Sequence, residues 1–144
     1  MKLGADVIHN LLGFHSLTGC DTTSSFCGIS KKSCWKKYAE CPELLVGVGR
    51  DGNFEGVEGN LCRLYACSKG AHDPDIDVCR YRLFMKGRKA LDLLPPTRDA
   101  LQLHLACCNE QAKIRISADD PTFTAQDPLR SGGWKDDGDG LKPV

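Results

Sequence analysis

The segment LPPTRDALQLHLACCNEQAKI, residues 94–114, contains the clearest helix boundary in the sequence. Two consecutive prolines, Pro95 and Pro96, prevent a helix from forming before Thr97, and the hydroxyl of Thr97 can cap the helix that follows. An apolar stripe then recurs at helical spacing, formed by Leu101, Leu105 and Cys108. The segment therefore predicts a capped amphipathic helix that packs against a core.

Outward from this segment, most of the chain is also predicted to be helical. Apolar residues at helical spacing indicate three further helices, over residues 3–14, 57–67 and 75–86. Residues 21–41 predict two short helices broken near Gly28, the second starting at Ser30 and stopping before Pro42. This last pair has the outline of a helix-turn-helix. The sequence therefore predicts a mainly α fold without a substantial sheet.

Composition and length bound the organisation of the chain. With 144 residues, of which 41% are hydrophobic, it can bury one modest core, so we expect one domain or a piece of one. We divide it into a helical segment, a glycine-rich loop, a second helical segment and a disordered tail: residues 1–45, 46–60, 61–118 and 119–144. The loop is expected to separate two lobes, and the tail is rich in Pro, Gly and Asp.

The overall charge does not indicate a partner. Nineteen basic and nineteen acidic residues cancel, so nucleic-acid binding would require a local patch. One such patch is formed by Lys31, Lys32, Lys36 and Lys37. No apolar run approaches the roughly 18 residues that span a bilayer, and no charged-then-apolar leader opens the chain. We expect no membrane partner and an intracellular location, with the nucleus as one option.

The nine cysteines allow disulfides, zinc or packing thiols. Their odd number, without a secretory signal, argues against an oxidised scaffold. Four of them are spaced by seven residues, namely Cys20, Cys27, Cys34 and Cys41. Zinc ligands more often occur as close pairs, and we favour packing thiols over a metal site.

The glycine loop contains the pattern G-x-G-x-x-G at Gly47, Gly49 and Gly52. A dinucleotide site needs this pattern between a strand and a helix. Neither flank is predicted to fit, because NFEGVEGN, residues 53–60, is a poor helix start. We therefore do not expect nucleotide binding here.

The stretch GCDTTSSFCGISKKSCWKKY, residues 19–38, resembles a segment of flap-endonuclease-like nucleases of the PIN-like superfamily. In that family a Gly-Cys-Asp step leads into a helix, a Gly-Ile-Gly turn and a lysine-bearing second helix. The resemblance implies that Asp21 is a metal-binding carboxylate and that a helix-three-turn-helix element holds the DNA backbone. On the resemblance, Gly28, Ile29 and Lys32 fall on that element. Together with Ser30 and the other lysines of the patch, Lys31, Lys36 and Lys37, they form the expected DNA-binding surface. The departure is Ser30, where the family has a second glycine.

A wider resemblance covers most of the chain. GFHSLTGCDTTSSF, CRYRLF, LPPTRDALQLH, CNEQA and GGW occur in this order, as in the C-terminal part of uncharacterised, mobile-element-associated animal proteins with a PIN-like core. This resemblance implies that the chain is a fragment of a larger PIN-like α/β nuclease whose N-terminal core is missing. Any Mg²⁺ or Mn²⁺ would belong to the parent protein.

Other interpretations of these residues stay open. Asp21 can equally be a helix N-cap, and the lysines can be a solvated helix face. Trp35 and the histidines, including His15 and His104, are interpreted as core-edge residues. A cysteine-rich interaction module and a mobile-element remnant without activity are the alternatives to DNA-backbone binding. We favour backbone binding by a chain that is inactive alone, because two-metal hydrolysis needs several converging carboxylates.

Overall fold

The computed structural model describes residues 4–50, 52–65, 75–87, 90–127, 129–130 and 134–143. The α-helices in these ranges are α1 (Ala5–His9), α2 (Leu11–Leu17), α3 (Lys31–Glu40), α4 (Phe54–Leu64), α5 (Ile76–Met85) and α6 (Arg98–Ile116). Two 3₁₀ turns, Pro42–Leu45 and Leu91–Leu93, join them. The predicted mainly α class is confirmed.

The two capped helix starts are as predicted. Thr97 Oγ1 accepts a hydrogen bond from the backbone N–H of Ala100 at 3.3 Å, and α6 begins at the next residue, Arg98. Ser30 Oγ accepts from the N–H of Ser33 at 3.2 Å, so α3 begins where the sequence indicates. In both cases a side-chain oxygen satisfies a backbone donor that has no partner within the helix.

The helix expected before Gly28 is wrong. Residues 21–29 form turns, and Cys20 and Thr23 pair their backbones in an isolated antiparallel bridge. Hydroxyl residues favour such local structure because their side chains compete for backbone groups. The helix-turn-helix outline is therefore not formed, and Asp21 does not cap a helix. Residues 3–14 differ as well, because their helical part is divided at Asn10 into α1 and α2.

The glycine loop is shorter than predicted. Asn53 Oδ1 accepts from the N–H of Gly56 at 2.9 Å, and α4 begins at Phe54, within the expected loop. Val57 and Leu61 on this helix are fully buried, and their packing outweighs the low helix propensity of its two glycines. The G-x-G-x-x-G pattern follows a 3₁₀ turn rather than a strand, so it lacks the context of a dinucleotide site.

The remaining loop holds the chain close to α6. Gly49 has a φ of +85°, and a Cβ added there would lie 2.4 Å from Cβ of Ala112. Its N–H donates to Asn109 Oδ1 at 2.8 Å. Position 49 thus requires a glycine for two reasons: the backbone has a positive φ there, and it lies too close to Ala112 on α6 for a side chain to fit.

The tail was predicted to be disordered, but the structure places a small hairpin in it. Strand β1 (Trp134–Asp136) pairs antiparallel with β2 (Leu141–Pro143), with Lys135 opposite Lys142. Gly138 and Gly140, both at positive φ, lie in the connecting turn. This is the sole sheet in the residues that the structure describes.

One core joins both sides of the glycine loop. Its most buried side chains include Leu17 and Tyr38 before the loop and Val57, Ile76 and Leu101 after it. The expected two lobes are therefore a single packed unit. Burial of this kind stabilises the fold by about 1.5–3 kcal/mol for each large apolar side chain.

An aromatic cluster orients α3 against the N-terminal helices. The rings of Phe14 and Tyr38 stack with centroids 4.8 Å apart, and Trp35 meets Phe14 edge-on at 5.4 Å. The hydroxyl of Tyr38 donates to the carbonyl of Val7 at 2.8 Å, and burial raises the pKa of this phenol to about 12. These contacts fix which face of α3 points to solvent.

Glu58 joins three helices. This carboxylate on α4 is only 2% exposed, accepts from the N–H of Ile76 at the start of α5 (3.0 Å), and lies 3.4 Å from the guanidinium of Arg98 on α6. The same guanidinium lies 5.2 Å from the ring centre of Phe54. Asp77 adds a further link by accepting from the N–H of Arg98 at 2.9 Å.

We predict that Glu58→Ala lowers the free energy of unfolding by about 2–3 kcal/mol, because it leaves the N–H of Ile76 buried without an acceptor. Glu58→Gln keeps an acceptor and should cost less. Urea denaturation measures both. The control is Glu40→Ala, which breaks an exposed pair with Lys37 and should cost under about 1 kcal/mol. A Glu58→Ala variant as stable as this control would contradict the prediction.

Candidate nucleic-acid interface

The first turn of α3 has an unusual charge. Lys31 and Lys32 occupy it, and it contains no acidic residue. A helix N-terminus carries partial positive charge and favours anions, so two lysines there are unfavourable unless a negative group is near. The turn would therefore suit a phosphate or another anion.

Lys31 is already engaged within the protein. Its ammonium donates to the carbonyl of Gly19 at 2.6 Å, to the carbonyl of His15 at 3.3 Å and to His15 Nδ1 at 2.9 Å. Burial, and then the charge of Lys31, lower the pKa of His15, so this ring is a neutral acceptor. Lys31 thus holds the end of α2 and contributes charge rather than a free donor.

The other three lysines divide between two environments. Lys37 pairs with Glu40 at 2.9 Å, so its charge is largely compensated. Lys32 and Lys36 are exposed and four residues apart, which puts them on one side of the helix. Of the four lysines in the predicted patch, Lys32 and Lys36 therefore form the exposed pair, and Lys31 lies beside them with its ammonium bonded within the protein.

The turn before α3 is more occupied than the resemblance implies. Gly28 has a φ of +71°, and a Cβ there would meet Leu93 at 2.6 Å. The N–H of Ile29 donates to the carbonyl of Phe26 at 3.2 Å, and its side chain packs against the core. Ser30 caps α3. These groups position the helix and leave phosphate contacts to the helix start itself.

Asp21 lies exposed in the turn after Cys20. The carboxylate of Asp21 lies close enough to His15 to act on its pKa. It raises that pKa, but burial and the charges of Lys31 and Arg115 lower it more. No group of three or more His, Cys, Asp or Glu side chains within the described ranges could hold a metal ion. Asp21 is therefore not part of such a group among the residues described.

An apolar surface borders the lysines. A groove of about 530 Å³ lies between α2 and the start of α3, and its floor is almost entirely apolar. It is lined by Leu11, Leu12, Phe14, His15, Lys31, Lys32 and Trp35. Trp35, predicted as a core-edge residue, is half-buried here and packs on Phe14.

The hydroxyl-rich stretch after Gly19 surrounds the sulfur of Cys20. Thr23 Oγ1 lies 3.0 Å and Thr22 Oγ1 3.4 Å from this sulfur. Partial burial raises the pKa of Cys20, but hydrogen bonds from the side chains and backbone of Thr22 and Thr23 together lower it more, to about 6. Cys20 is accordingly a thiolate at neutral pH.

The proton of the Thr23 hydroxyl has two competing acceptors. It can be donated to the carbonyl of Ser16, 2.6 Å away, or to the sulfur of Cys20. A charged acceptor forms the stronger bond, so ionisation of Cys20 draws this proton toward the sulfur. Cys108 also donates to the Ser16 carbonyl, at 3.3 Å, so that oxygen keeps one partner.

A cavity of about 310 Å³ lies beside this turn. It is lined by Thr22, Thr23, Ser24, Ser25, Phe26, Pro96, Ala100, Leu103, His104, Cys107 and Trp134. His104 is largely buried, which lowers its pKa, and its Nε2 lies 2.9 Å from the carbonyl of Leu17. The neutral imidazole donates to that carbonyl and, as predicted for a core-edge residue, contacts the ring of Phe26.

The cysteines within the described ranges have different environments. Cys34 and Cys108 are buried, and burial raises the pKa of both thiols, whereas Cys27 is exposed. Cys34 and Cys108 belong to the hydrophobic core, as expected for packing thiols. Cys79 differs, because it is disulfide-bonded.

Sequence reasoning missed a second basic surface. On α5, Tyr81, Phe84 and Met85 are exposed next to Arg82 and Lys86. The signal was present in RYRLFMK, residues 80–86, which interleaves aromatic and basic residues without an acid. The spacing of its apolar residues is equally typical of an inward helix face, so the sequence alone does not reveal this surface.

Comparison with known protein families, characterised proteins and solved structures finds no match to this chain. None of the helices described is both long and apolar enough to cross a membrane.

We predict that Cys20 reacts with iodoacetamide at a rate that rises with pH around a midpoint near 6, because the reactive form is the thiolate. Thr23→Val should shift this midpoint upward by removing a donor to the sulfur. Peptide mass spectrometry at a series of pH values measures it, with buried Cys34 as an internal control. A midpoint near the usual thiol value in the wild type would contradict the prediction.

We also expect this chain alone not to cut nucleic acid with Mg²⁺ or Mn²⁺. Two-metal hydrolysis requires several carboxylates around ions about 4 Å apart, and Asp21 stands exposed in a turn. Gel analysis of a labelled branched DNA measures cleavage. Cleavage by the wild type that disappears in Asp21→Ala would show the expectation to be wrong.

Proposed function

We propose that this protein binds the phosphate backbone of nucleic acids without sequence preference, through the start of α3. The observation that carries the proposal is the first turn of that helix, where two lysines and no acid occupy the positively polarised end. Such an arrangement is unfavourable in isolation and becomes favourable when a phosphate is bound. Lys32 and Lys36 supply the exposed charges.

The helix start also offers backbone donors. The first N–H groups of a helix have no acceptor within it, and in α3 that of Ser33 is taken by Ser30. The N–H groups of Lys31 and Lys32 make no hydrogen bond within the described part of the chain. A phosphate oxygen placed there would accept from them while Lys32 compensates its charge.

The resemblance of residues 19–38 to PIN-like nucleases supports the same role for α3, because the matching lysine-bearing helix of that family holds the DNA backbone. The first helix of that element is not formed here. On this proposal the chain is the backbone-binding part of a larger protein. Metal-dependent cleavage, with Mg²⁺ or Mn²⁺, would belong to a nuclease core that lies elsewhere in that protein. Asp21 would add at most one ligand to such a centre.

The chemistry predicts nonspecific, salt-sensitive binding. Phosphate contacts release counterions, so the logarithm of affinity falls by about 0.9 per neutralised phosphate for each unit of the logarithm of salt concentration. Since Lys31 and Lys37 are bonded within the protein, two lysines dominate. The slope due to this surface should therefore be close to about −2.

We predict that Lys32→Ala/Lys36→Ala weakens binding to all duplex sequences alike and makes the salt slope shallower by about two. Fluorescence anisotropy with a labelled duplex at several salt concentrations measures both quantities. The matched control is Lys37→Ala/Lys135→Ala, which removes the same charge from a compensated position on α3 and from the hairpin. Its slope should stay close to that of the wild type.

Lys31 is kept in these variants because its loss would release the end of α2. Unchanged affinity and slope in Lys32→Ala/Lys36→Ala would refute the proposal. So would an equal loss in the control pair, because binding would then depend on net charge alone.

A further inference from the structure

The groove between α2 and the start of α3 has an apolar floor that is open to solvent. Its volume is about 530 Å³, and the floor is formed by Leu11, Leu12, Phe14 and Trp35. Leu11 and Leu12 are each 38% exposed, and Trp35 is half-buried. Single exposed leucines are ordinary on a protein surface. Apolar side chains that together line a concave surface instead indicate a place where a partner binds.

The rim of the groove is positively charged. Lys31 and Lys32 line it, Lys36 follows one turn further along α3, and no carboxylate occurs among the described residues of the lining. The hydrogen bonds of Lys31 go to neutral groups, which leave its charge uncompensated. Lys32 and Lys36 make no hydrogen bond or ion pair with a described residue. The positively polarised start of α3 adds to this charge.

One carboxylate lies near the groove without lining it. Asp21 is close enough to His15 to act on its pKa, but so is the guanidinium of Arg115, and the two have opposite effects. The charge of Lys31 acts on the same ring and has the same sign as that of Arg115. Positive charge therefore outweighs negative charge around the groove, and a partner that carries carboxylates is favoured over one that carries cations.

We propose that this groove binds an acidic amphipathic helix of a partner protein, whose apolar face fills the groove and whose carboxylates pair with Lys32 and Lys36. The seven residues of α2 span about 10 Å, at 1.5 Å per residue. Two turns of a partner helix have about the same length and present apolar side chains at i, i+4 and i+7. A short helix can therefore place three apolar anchors along α2.

Shape and polarity decide between possible occupants. A membrane is contacted by apolar side chains that protrude, whereas a groove receives the protruding side chains of a partner. The polar ring atoms of a nucleobase would lie without hydrogen bonds on an apolar floor, which is costly. A small amphiphile such as a fatty acid is usually enclosed over most of its surface, and this groove is open. A helix buries one face and leaves its polar face in water, as an open groove requires.

This inference goes beyond the proposed function and is tested apart from it. The floor of the groove is formed by apolar side chains that take no part in phosphate binding, whereas Lys32 belongs to both surfaces. If both proposals hold, the partner helix and a nucleic acid compete for Lys32, so the partner regulates backbone binding. Only this competition rests on the proposed function.

The test uses the full chain and a fluorescein-labelled synthetic peptide of about 16 residues, with leucine at i, i+4 and i+7 and glutamate on the flanking faces. Fluorescence anisotropy measures binding. Leu11→Ala/Leu12→Ala should weaken peptide binding by at least about tenfold, because the anchors lose the floor on which they pack. Duplex affinity should change by less than about twofold, because no charge is removed. Circular dichroism establishes that the variant remains folded.

Two controls separate the apolar from the charged contribution. Ile8→Ala removes an exposed apolar side chain of α1 that does not line the groove, so this variant should bind the peptide like the wild type. A peptide with glutamine in place of glutamate should bind about threefold to tenfold more weakly to the wild type. Lys32→Ala/Lys36→Ala should remove most of this difference between the two peptides.

Trp35 reports where the peptide binds. The chain has two tryptophans, so in a Trp134→Phe variant the indole emission comes from Trp35 alone. A peptide without tryptophan that covers this indole should shift its emission to shorter wavelength. Saturable binding without any shift would place the peptide elsewhere on the protein and overturn the inference.

Other results also overturn it. One is no binding of the glutamate peptide at about 100 µM, and another is equal binding of a peptide with lysine in place of glutamate. Binding to anionic phospholipid vesicles that needs Leu11 and Leu12, without peptide binding, would assign the groove to a membrane. If the peptide binds through these leucines and no duplex is bound, the backbone proposal fails and this one stands. Duplex binding without peptide binding refutes this inference alone.

Discussion

The carboxyl-terminal end of α2 is the constraint on which the rest of the structure depends. The last carbonyl oxygens of a helix accept no hydrogen bond from the helix itself. Those of α2 lie at or inside the protein surface, where water cannot donate to all of them. Each one receives a side-chain donor. Thr18 donates to Phe14, Lys31 to His15, Cys108 to Ser16 and His104 to Leu17. Thr23 also donates to Ser16 when Cys20 is protonated.

These donors come from four parts of the chain, so satisfying one helix end positions the candidate site. Lys31 ties the start of α3 to α2, which leaves Lys32 and Lys36 as the exposed charges. A cation at this place is favoured by the partial negative charge of the α2 terminus. The same arrangement brings Thr23 between Ser16 and Cys20, so the ionisation of one thiol is linked to the capping of a helix.

Local signals predicted much of the fold. Thr97 and Ser30 mark their helices correctly because a cap is decided by residues within one turn of it. The errors have nonlocal causes. Residues 21–27 contain hydroxyls that suit a helix start, but Thr23 bonds to Ser16, a contact that spacing cannot reveal. A helix is predicted from Val57 onward, but the start of α4 falls in the predicted loop, because Gly56 favours a loop and the burial of Val57 and Leu61 cannot be seen in the sequence.

The candidate site shows the same division. The sequence placed four lysines on one helix, but it could not show that Lys31 turns back to Gly19 or that Lys37 pairs with Glu40. It contained the basic and aromatic pattern on α5, yet only the structure shows that Tyr81, Phe84 and Met85 face solvent while Leu83 packs against the core.

The hydrogen bonds from His104 and Cys108 to the end of α2 also affect folding during synthesis, because they form only after α6 has been made. They span 87 and 92 residues of chain. A ribosome adding about 5–20 residues per second needs about 5–20 s between completing α2 and completing its donors on α6. Until α6 is complete, the carbonyl of Leu17 lacks its side-chain donor, and the side of α2 that packs on α6 stays uncovered. The nascent chain must therefore keep α2 in solution until α6 is synthesised.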